Sequence, residues 1–500
     1  MKILLKQNVK YIILILILQL LVSCHPKSQE SFQPRFIPSD TTTHAINKNQ
    51  KFTFGYLEVL ENRQNESSDT IQMPVYIFKS RSKNPKKDPI IYTVGGPGYS
   101  TMRSAQYMNA YQYLDDRDFI LIEQRGTQYA KPHLACPEWA KAVYESNLPN
   151  FDTANTKAHF EKAARSCRDR LSLAGIDLNR YNTNEIAADI NDLVEVLDIE
   201  QYNLLTISYS TKIAQVLMRD YPKRIRSVVM DSPLPLEVSY DEESVQNLLE
   251  SVSQLLSDCE NDANCKAAFP DLKNRFFTFL RDITESPLEV SVKNPKTNSF
   301  EMFRLQGKDL ITLLGSFSTQ SAPYIPLEIH KVLNNDLSSV EQQLATLFEG
   351  PSSGNGVGMR LSVWCSEEAP FNSWKTVQEE TQKYPEVRGL SPTVFDRSVC
   401  TIWGVEPVDK RENVAVQSVI PTLLISGTYD SQTPMKWALA MQENLSNSYH
   451  LAFNGWAHIP TTNWSNSCAM EAANQFFNNP SEKPQTKCHE ELKQPIFKTK

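Results

Sequence analysis

Tyr202-Asn203-Leu204-Leu205-Thr206-Ile207-Ser208-Tyr209-Ser210-Thr211 is the stretch on which the reading of the chain turns. Its first half has the composition of a buried β-strand and breaks off abruptly at Ser208. A helix pattern follows at once, Lys212-Ile213-Ala214-Gln215-Val216-Leu217-Met218-Arg219. Strand, serine, helix is the setting of a nucleophile elbow, where a tight turn holds a serine with its hydroxyl exposed above a sheet. Such elbows usually read G-x-S-x-G, but here Thr206 and Ser210 stand at the two glycine positions.

Outward from the elbow, the pattern repeats. Upstream, Phe52–Leu60 and Ile71–Phe78 read as strands separated by a polar turn. Pro89–Val94 is a third strand running into Gly95-Gly96-Pro97-Gly98, and Phe119–Ile122 a fourth running into Glu123-Gln124-Arg125-Gly126-Thr127. Asn182 or Thr183 caps a helix whose apolar residues Ile186, Ile190, Leu193 and Leu197 recur at the helical period. Downstream, Tyr221-Pro222 stops the elbow helix, and Val228–Met230 forms a strand ending at Asp231-Ser232. From Pro89 to Ser232 strands alternate with helices, the signature of a mostly parallel sheet covered on both faces. Ligands bind such sheets outside the carboxyl ends of the strands. Gly95–Gly98, Glu123–Gly126, Ser208 and Asp231 all fall at those ends.

The alternation stops near Leu236. Val245, Leu248, Leu249, Val252, Leu255 and Leu256 mark an amphipathic helix, and further helical segments follow to about Ala415. The sheet pattern then resumes with Pro421–Gly427, followed by Thr428-Tyr429-Asp430, and closes with Tyr449–Phe453, followed by Asn454-Gly455-Trp456-Ala457-His458. The expected organisation is a core in two parts, 51–235 and 416–500, around a mainly helical cap at 236–415.

At the N-terminus, Lys2, Lys6 and Lys10 precede an apolar run, Tyr11–Val22, too short to span a bilayer comfortably. The run ends in Leu21-Val22-Ser23-Cys24, which resembles a bacterial lipobox. Residues 1–23 are therefore expected to be a signal peptide and Cys24 a lipidated first residue that anchors the protein to a membrane of the cell envelope, at its periplasmic or surface face. The polar segment 24–50 is expected to be a flexible tether. Eight further cysteines, Cys136, Cys167, Cys259, Cys265, Cys365, Cys400, Cys468 and Cys488, form an even set in an exported chain and suggest disulfides. Many connectivities are possible, and pairing of sequence neighbours is the simplest. Their spacing does not suit zinc. The net charge of −7 and the lack of a basic stripe exclude a general nucleic-acid binder.

A serine hydroxyl needs a base to take its proton, and the base needs a third group to orient it. Ser208, Asp430 and His458 supply nucleophile, acid and base in the chain order Ser…Asp…His, which is that of the α/β-hydrolase fold. An oxyanion hole needs two preorganised N–H donors. Tyr209, the residue after the serine, is expected to give one. Gly96, in the glycine-rich loop after the third strand, is expected to give the other. No metal or cofactor is required by this chemistry.

Taken together, Gly95-Gly96-Pro97-Gly98, Gln124-Arg125-Gly126-Thr127, Ile207-Ser208-Tyr209, Tyr221-Pro222…Arg226-Ser227-Val228-Val229 and Gly427…Asp430…Pro434 resemble the proline iminopeptidase and tripeptidyl aminopeptidase-like serine peptidases, an α/β-hydrolase family. The likeness is greatest to the exported, disulfide-containing branch. It covers nearly the whole mature chain. It implies cleavage of short peptides from a free N-terminus through an acyl-enzyme on Ser208. It also implies that cap acids hold the substrate's α-ammonium, with Glu367 and Glu368 as the candidates. The chain departs from the family at Thr206 and Ser210, and at Val94, where His or Asn is usual. Two other readings use the same residues: an esterase with the same triad, and a peptide-binding lipoprotein without turnover, suggested by Thr206 and Ser210.

Overall fold

A computed structural model describes residues 32–391 and 395–500. The expected signal peptide and the lipidation site at Cys24 lie outside the described residues. Seven strands precede the insertion: β1 (Arg35–Pro38), β2 (Phe52–Leu60), β3 (Thr70–Phe78), β4 (Lys86–Thr93), β5 (Arg117–Ile122), β6 (Tyr202–Ile207) and β7 (Ile225–Asp231). The insertion carries a hairpin, β8 (Leu288–Lys293) and β9 (Phe300–Leu305), and the chain returns with β10 (Thr422–Gly427) and β11 (Ser448–Phe453). Nine strands form one sheet in the order β1-β2-β3-β5-β4-β6-β7-β10-β11. The first three pairings along that order are antiparallel and the remaining five parallel.

β6 is central, between β4 and β7, and all six of its residues are buried. That is why it reads as a continuous run and not as an alternating strand. Leu204 packs with Ile186, Ile190 and Leu193 of helix Thr183–Val196 and with Ile213 and Leu217 of the elbow helix Ser210–Asp220. Leu205 and Ile207 face the other way, into a layer with Met470, Phe476 and Phe477 of helix Cys468–Asn478. Burying each such side chain contributes about 1.5–3 kcal/mol, so the two layers clamp the sheet from both sides.

Two expectations need correction. The segment expected to be a tether is ordered in its second half: β1 pairs with β2, and the N–H of His44 donates to the Tyr76 hydroxyl at 3.1 Å. A polar four-residue edge strand has no periodicity of its own and is stabilised by the neighbour it pairs with. The insertion is mainly helical, but the β8–β9 hairpin was not expected from its sequence.

The insertion has its own hydrophobic core, which includes Val252, Leu256, Phe276, Leu280, Leu310 and Phe303. It meets the sheet through the cap helix Val357–Val363, which continues into a π-helical turn at Trp364–Glu368. Disulfides join Cys136–Cys167, Cys259–Cys265, Cys365–Cys400 and Cys468–Cys488, each between sequence neighbours. The third ties the π turn to helix Arg397–Trp403. Among the described residues no helix is long and apolar enough to cross a membrane.

Candidate active site

The strand-to-helix turn places Ser208 at φ +54°, in the left-handed region that non-glycine residues rarely enter. The turn is held by backbone: Ser208 N–H donates to the Asp231 carbonyl at 2.9 Å, and Thr211 N–H donates to the Ser208 carbonyl at 2.9 Å. The closest approach to the elbow comes from Gly95. A Cβ there would lie 2.7 Å from the Ser208 Cβ, 2.8 Å from the Ile207 oxygen and 2.9 Å from the Tyr209 nitrogen. The glycine this turn requires is therefore on the neighbouring strand's loop.

The two departures from G-x-S-x-G are accommodated. Ser210 is fully buried, and its hydroxyl donates to the Thr93 carbonyl at 2.8 Å while accepting from Ile207 N–H at 2.9 Å. It thus ties the end of β4 to the end of β6, a contact glycine could not make. Thr206 is fully buried in the sheet, in register between Thr93 and Met230.

The glycine-rich loop after β4 is braced from beneath. Gln124 Nε2 donates to the Val94 carbonyl and, at 2.9 Å, to Thr93 Oγ1. Glu123 Oε2 accepts from Thr101 N–H at 2.8 Å and from Ser100 Oγ at 3.0 Å, and its Oε1 accepts from Tyr129 N–H at 3.2 Å. Burial raises the Glu123 pKa, and these hydrogen bonds oppose the rise. Gly96 and Tyr209 line the same cavity of about 70 Å³ as Ser208. Neither of their N–H groups donates to another backbone or side-chain group among the described residues.

Asp430 follows β10 and His458 follows β11. His458 Nδ1 lies 2.7 Å from Asp430 Oδ2. Asp430 Oδ1 accepts from Gln432 and Thr433 N–H, both at 2.9 Å, and its Oδ2 from Thr433 Oγ1 at 2.8 Å. The carboxylate therefore fixes Nδ1 as the protonated nitrogen and leaves Nε2 free to act as a base. Burial alone would lower the His458 pKa, but the charge and hydrogen bond of Asp430, with the charge of Asp231, raise it above the ordinary value. Burial pushes Asp430 up, and His458 and Thr433 outweigh it, so the carboxyl stays below its usual range. No hydrogen bond joins Ser208 to His458 among the described residues. They line adjoining cavities, of about 70 and 390 Å³, that share Gln432.

The loop carrying His458 is seated on the end of β7. Ile459, at φ +56°, donates its N–H to Ser232 Oγ at 2.8 Å, and Thr461 N–H donates to Asp231 Oδ2 at 2.8 Å. Burial pushes the Asp231 carboxyl up to about 7.

The cap wall differs from what was expected of Glu367 and Glu368. Glu367 accepts from Thr183 N–H and Thr183 Oγ1, both at 2.5 Å, and so caps the helix Thr183–Val196. It does not line the Ser208 cavity, and burial pushes its carboxyl up to about 7. Glu368 does line that cavity, and one of its oxygens is held by Lys212 of the elbow helix in a buried ion pair. The cap helix also brings Arg360 to the cavity wall. Glycines make this closure possible: a Cβ on Gly356 would lie 1.9 Å from the Gly98 oxygen, and a Cβ on Gly98 2.5 Å from the Gly356 oxygen.

The TAP-like protein family model matches residues 390–488, the part that carries Asp430, His458 and the Cys468–Cys488 pair. The chain is 21% identical to the serine protease Hip1 of Mycobacterium tuberculosis over 395 residues, 74% of each chain. The chain has the α/β-hydrolase fold. A tripeptidyl aminopeptidase of Streptomyces coelicolor is 25% identical to it over 167 residues, 31% of this chain and 30% of that one. A solved proline iminopeptidase of Mycobacterium smegmatis superposes on this chain with a TM-score of 0.37 at 13% identity, over 82% of this chain and 96% of the other.

Several residues that shape the site carry little signal in the sequence. Lys212 is only a helix position there, and Arg360 has no motif around it. Asp231 and Gln124 were placed at strand ends, and that position was the available signal for both.

Proposed function

We propose that this chain is an exported serine peptidase that releases residues from the free N-terminus of short peptides. The observation that carries the reading is the elbow Ser208 beside an unused pair of N–H donors, with the Asp430–His458 pair on the adjoining strand ends. In this reading Ser208 Oγ attacks the scissile carbonyl carbon as His458 Nε2 takes its proton. The tetrahedral oxyanion is held by the N–H groups of Gly96 and Tyr209. The C–N bond then breaks, the imidazolium gives its proton to the leaving amine, and an acyl-enzyme ester remains. Water repeats the sequence and frees Ser208.

The relatives named serine protease and tripeptidyl aminopeptidase support peptide bonds as the target. Glu368 is the group this reading assigns to the substrate's α-ammonium, because it faces the Ser208 cavity and Glu367 does not. The four disulfides fit an oxidising compartment outside the cytoplasm. A lipid anchor at Cys24 completes the proposal, and palmitate incorporation that is lost in Cys24→Ala checks it.

The activity is tested with aminoacyl and tripeptidyl amides, their N-acetylated forms, and p-nitrophenyl esters. Turnover of the free peptides with N-acetyl forms at least about tenfold poorer is expected. Turnover of esters alone would make the protein an esterase, and equal turnover of acetylated and free peptides would remove the role given to Glu368.

A further inference from the structure

Arg360 stands out because its guanidinium is not paired directly, although buried Asp241 and Tyr240 lie close enough to feel its charge. It makes no ion pair and donates no hydrogen bond among the described residues, and its Nε is buried without an acceptor. These are the terms on which a cation waits for a ligand. Its guanidinium lies 5.6 Å from the centre of the Trp364 ring and 5.4 Å from that of Phe395. Aromatic faces hold a guanidinium in place without neutralising it.

The nearby carboxylates are already occupied. Glu368 is paired with Lys212, Glu367 is bound to Thr183, and Asp241 Oδ2 accepts from Trp364 Nε1 at 3.0 Å and Asn372 Nδ2 at 2.8 Å. Asp241 has a second oxygen without a partner and feels the charge of Arg360, but the two make no ion pair and Asp241 does not line the cavity. Among the described residues lining the Ser208 cavity, only Glu368 and Arg360 are charged, and Lys212 holds one Glu368 oxygen, which leaves the other for the α-ammonium. The guanidinium therefore lines the nucleophile's cavity with its hydrogen-bond donors unclaimed among the described residues.

We propose that Arg360 binds a carboxylate of the substrate beside Ser208, so that the preferred substrates are short peptides with an anionic group near the scissile bond. The inference rests on the peptidase reading above and refines its substrate class. A planar guanidinium with its donors unoccupied matches a carboxylate in bidentate fashion, which lysine cannot reproduce. Two sources share this chemistry: an acidic side chain next to the scissile bond, and the free C-terminus of a very short peptide.

Binding is measured by calorimetry on the Ser208→Ala protein, so that the result does not depend on turnover. One pair of ligands is Ala-Ala-Glu p-nitroanilide and its Gln counterpart; the other is Ala-Ala-Ala-Ala and its C-terminal amide. In at least one pair the acid is expected to bind about tenfold tighter than its neutral partner. The pair that shows the preference identifies the source. Adding Arg360→Gln should bring that ratio to within about twofold, and Arg360→Lys should restore only part of it. Equal binding within both pairs overturns the proposal, even if Arg360→Gln fails to fold. So does a preference that survives in a folded Arg360→Gln protein. Failure of the wild-type protein to turn over any peptide would count against the peptidase reading and leave the binding comparison decisive for Arg360.

Discussion

The two walls of the Ser208 cavity are built on different principles. The sheet wall is made by backbone: a left-handed serine, a glycine loop pressed against it, and hydrogen bonds from Gln124 and Ser210 that fix strand ends to one another. The cap wall is made by side chains on a helix and a π turn: Glu368 paired with Lys212, and Arg360 without an ion pair among the described residues. Backbone geometry positions a reaction; charged side chains choose what reacts. The walls touch at Gly98 and Gly356, where the backbones approach too closely for any side chain.

The largest effect is expected on the sheet wall. Asp430→Asn should lower kcat by about 10³–10⁴-fold, because the imidazole loses the partner that sets its tautomer. The rise of kcat/KM with pH should also move to lower pH, since the wild-type His458 pKa is held above its ordinary value by Asp430. An unchanged pH profile would place the base elsewhere.

The junction between the walls comes next. Gly356→Ala should cost about 2–4 kcal/mol, from a backbone clash and a left-handed conformation alanine tolerates poorly. Denaturant unfolding reads this directly, and a change under about 0.5 kcal/mol would mean the cap does not pack on the oxyanion loop as described.

Ser210→Gly sharpens the contrast from within the sheet wall. It should cost about 1–2 kcal/mol of stability for the lost hydroxyl bonds while activity survives, because glycine is the usual residue at that position.

The smallest effect at any one pH step lies on the cap wall. Burial raises the Glu367 pKa to about 7, so the native state keeps a proton that the unfolded chain releases near 4.5. Stability from this group is therefore greatest at low pH and falls as pH rises toward 7. Glu367→Gln should make that decline shallower by at most about 1.4 kcal/mol per pH unit, measured by unfolding at a series of pH values between the two.

Legibility followed the same division. Strands β5, β6, β7 and β10 were readable because largely buried strands give nearly unbroken apolar runs, and β4 and β11, buried mainly toward their C-terminal ends, because each runs into a recognisable glycine or polar cluster. The order Ser208, Asp430, His458 then placed three side chains at one edge of the sheet. The four disulfides followed the simplest pairing. The tether reading failed at β1, whose order comes from β2 and not from its own residues. Thr206 and Ser210 read as obstacles because the sequence does not reveal that Gly95, on another strand's loop, supplies the space. The cap wall was least legible: Glu367 and Glu368 are adjacent in sequence, yet one caps a core helix and the other pairs with Lys212, 156 residues away.

The central claim is that Ser208 is a working nucleophile in an elbow without its usual glycines. Labelling of the wild-type protein with a fluorophosphonate, followed by mapping of the modified peptide by mass spectrometry, tests it most directly. The account predicts a single adduct on Ser208 that is absent from a folded Ser208→Ala protein. No adduct, under conditions where a related peptidase is labelled, or an adduct on a different serine, would contradict it.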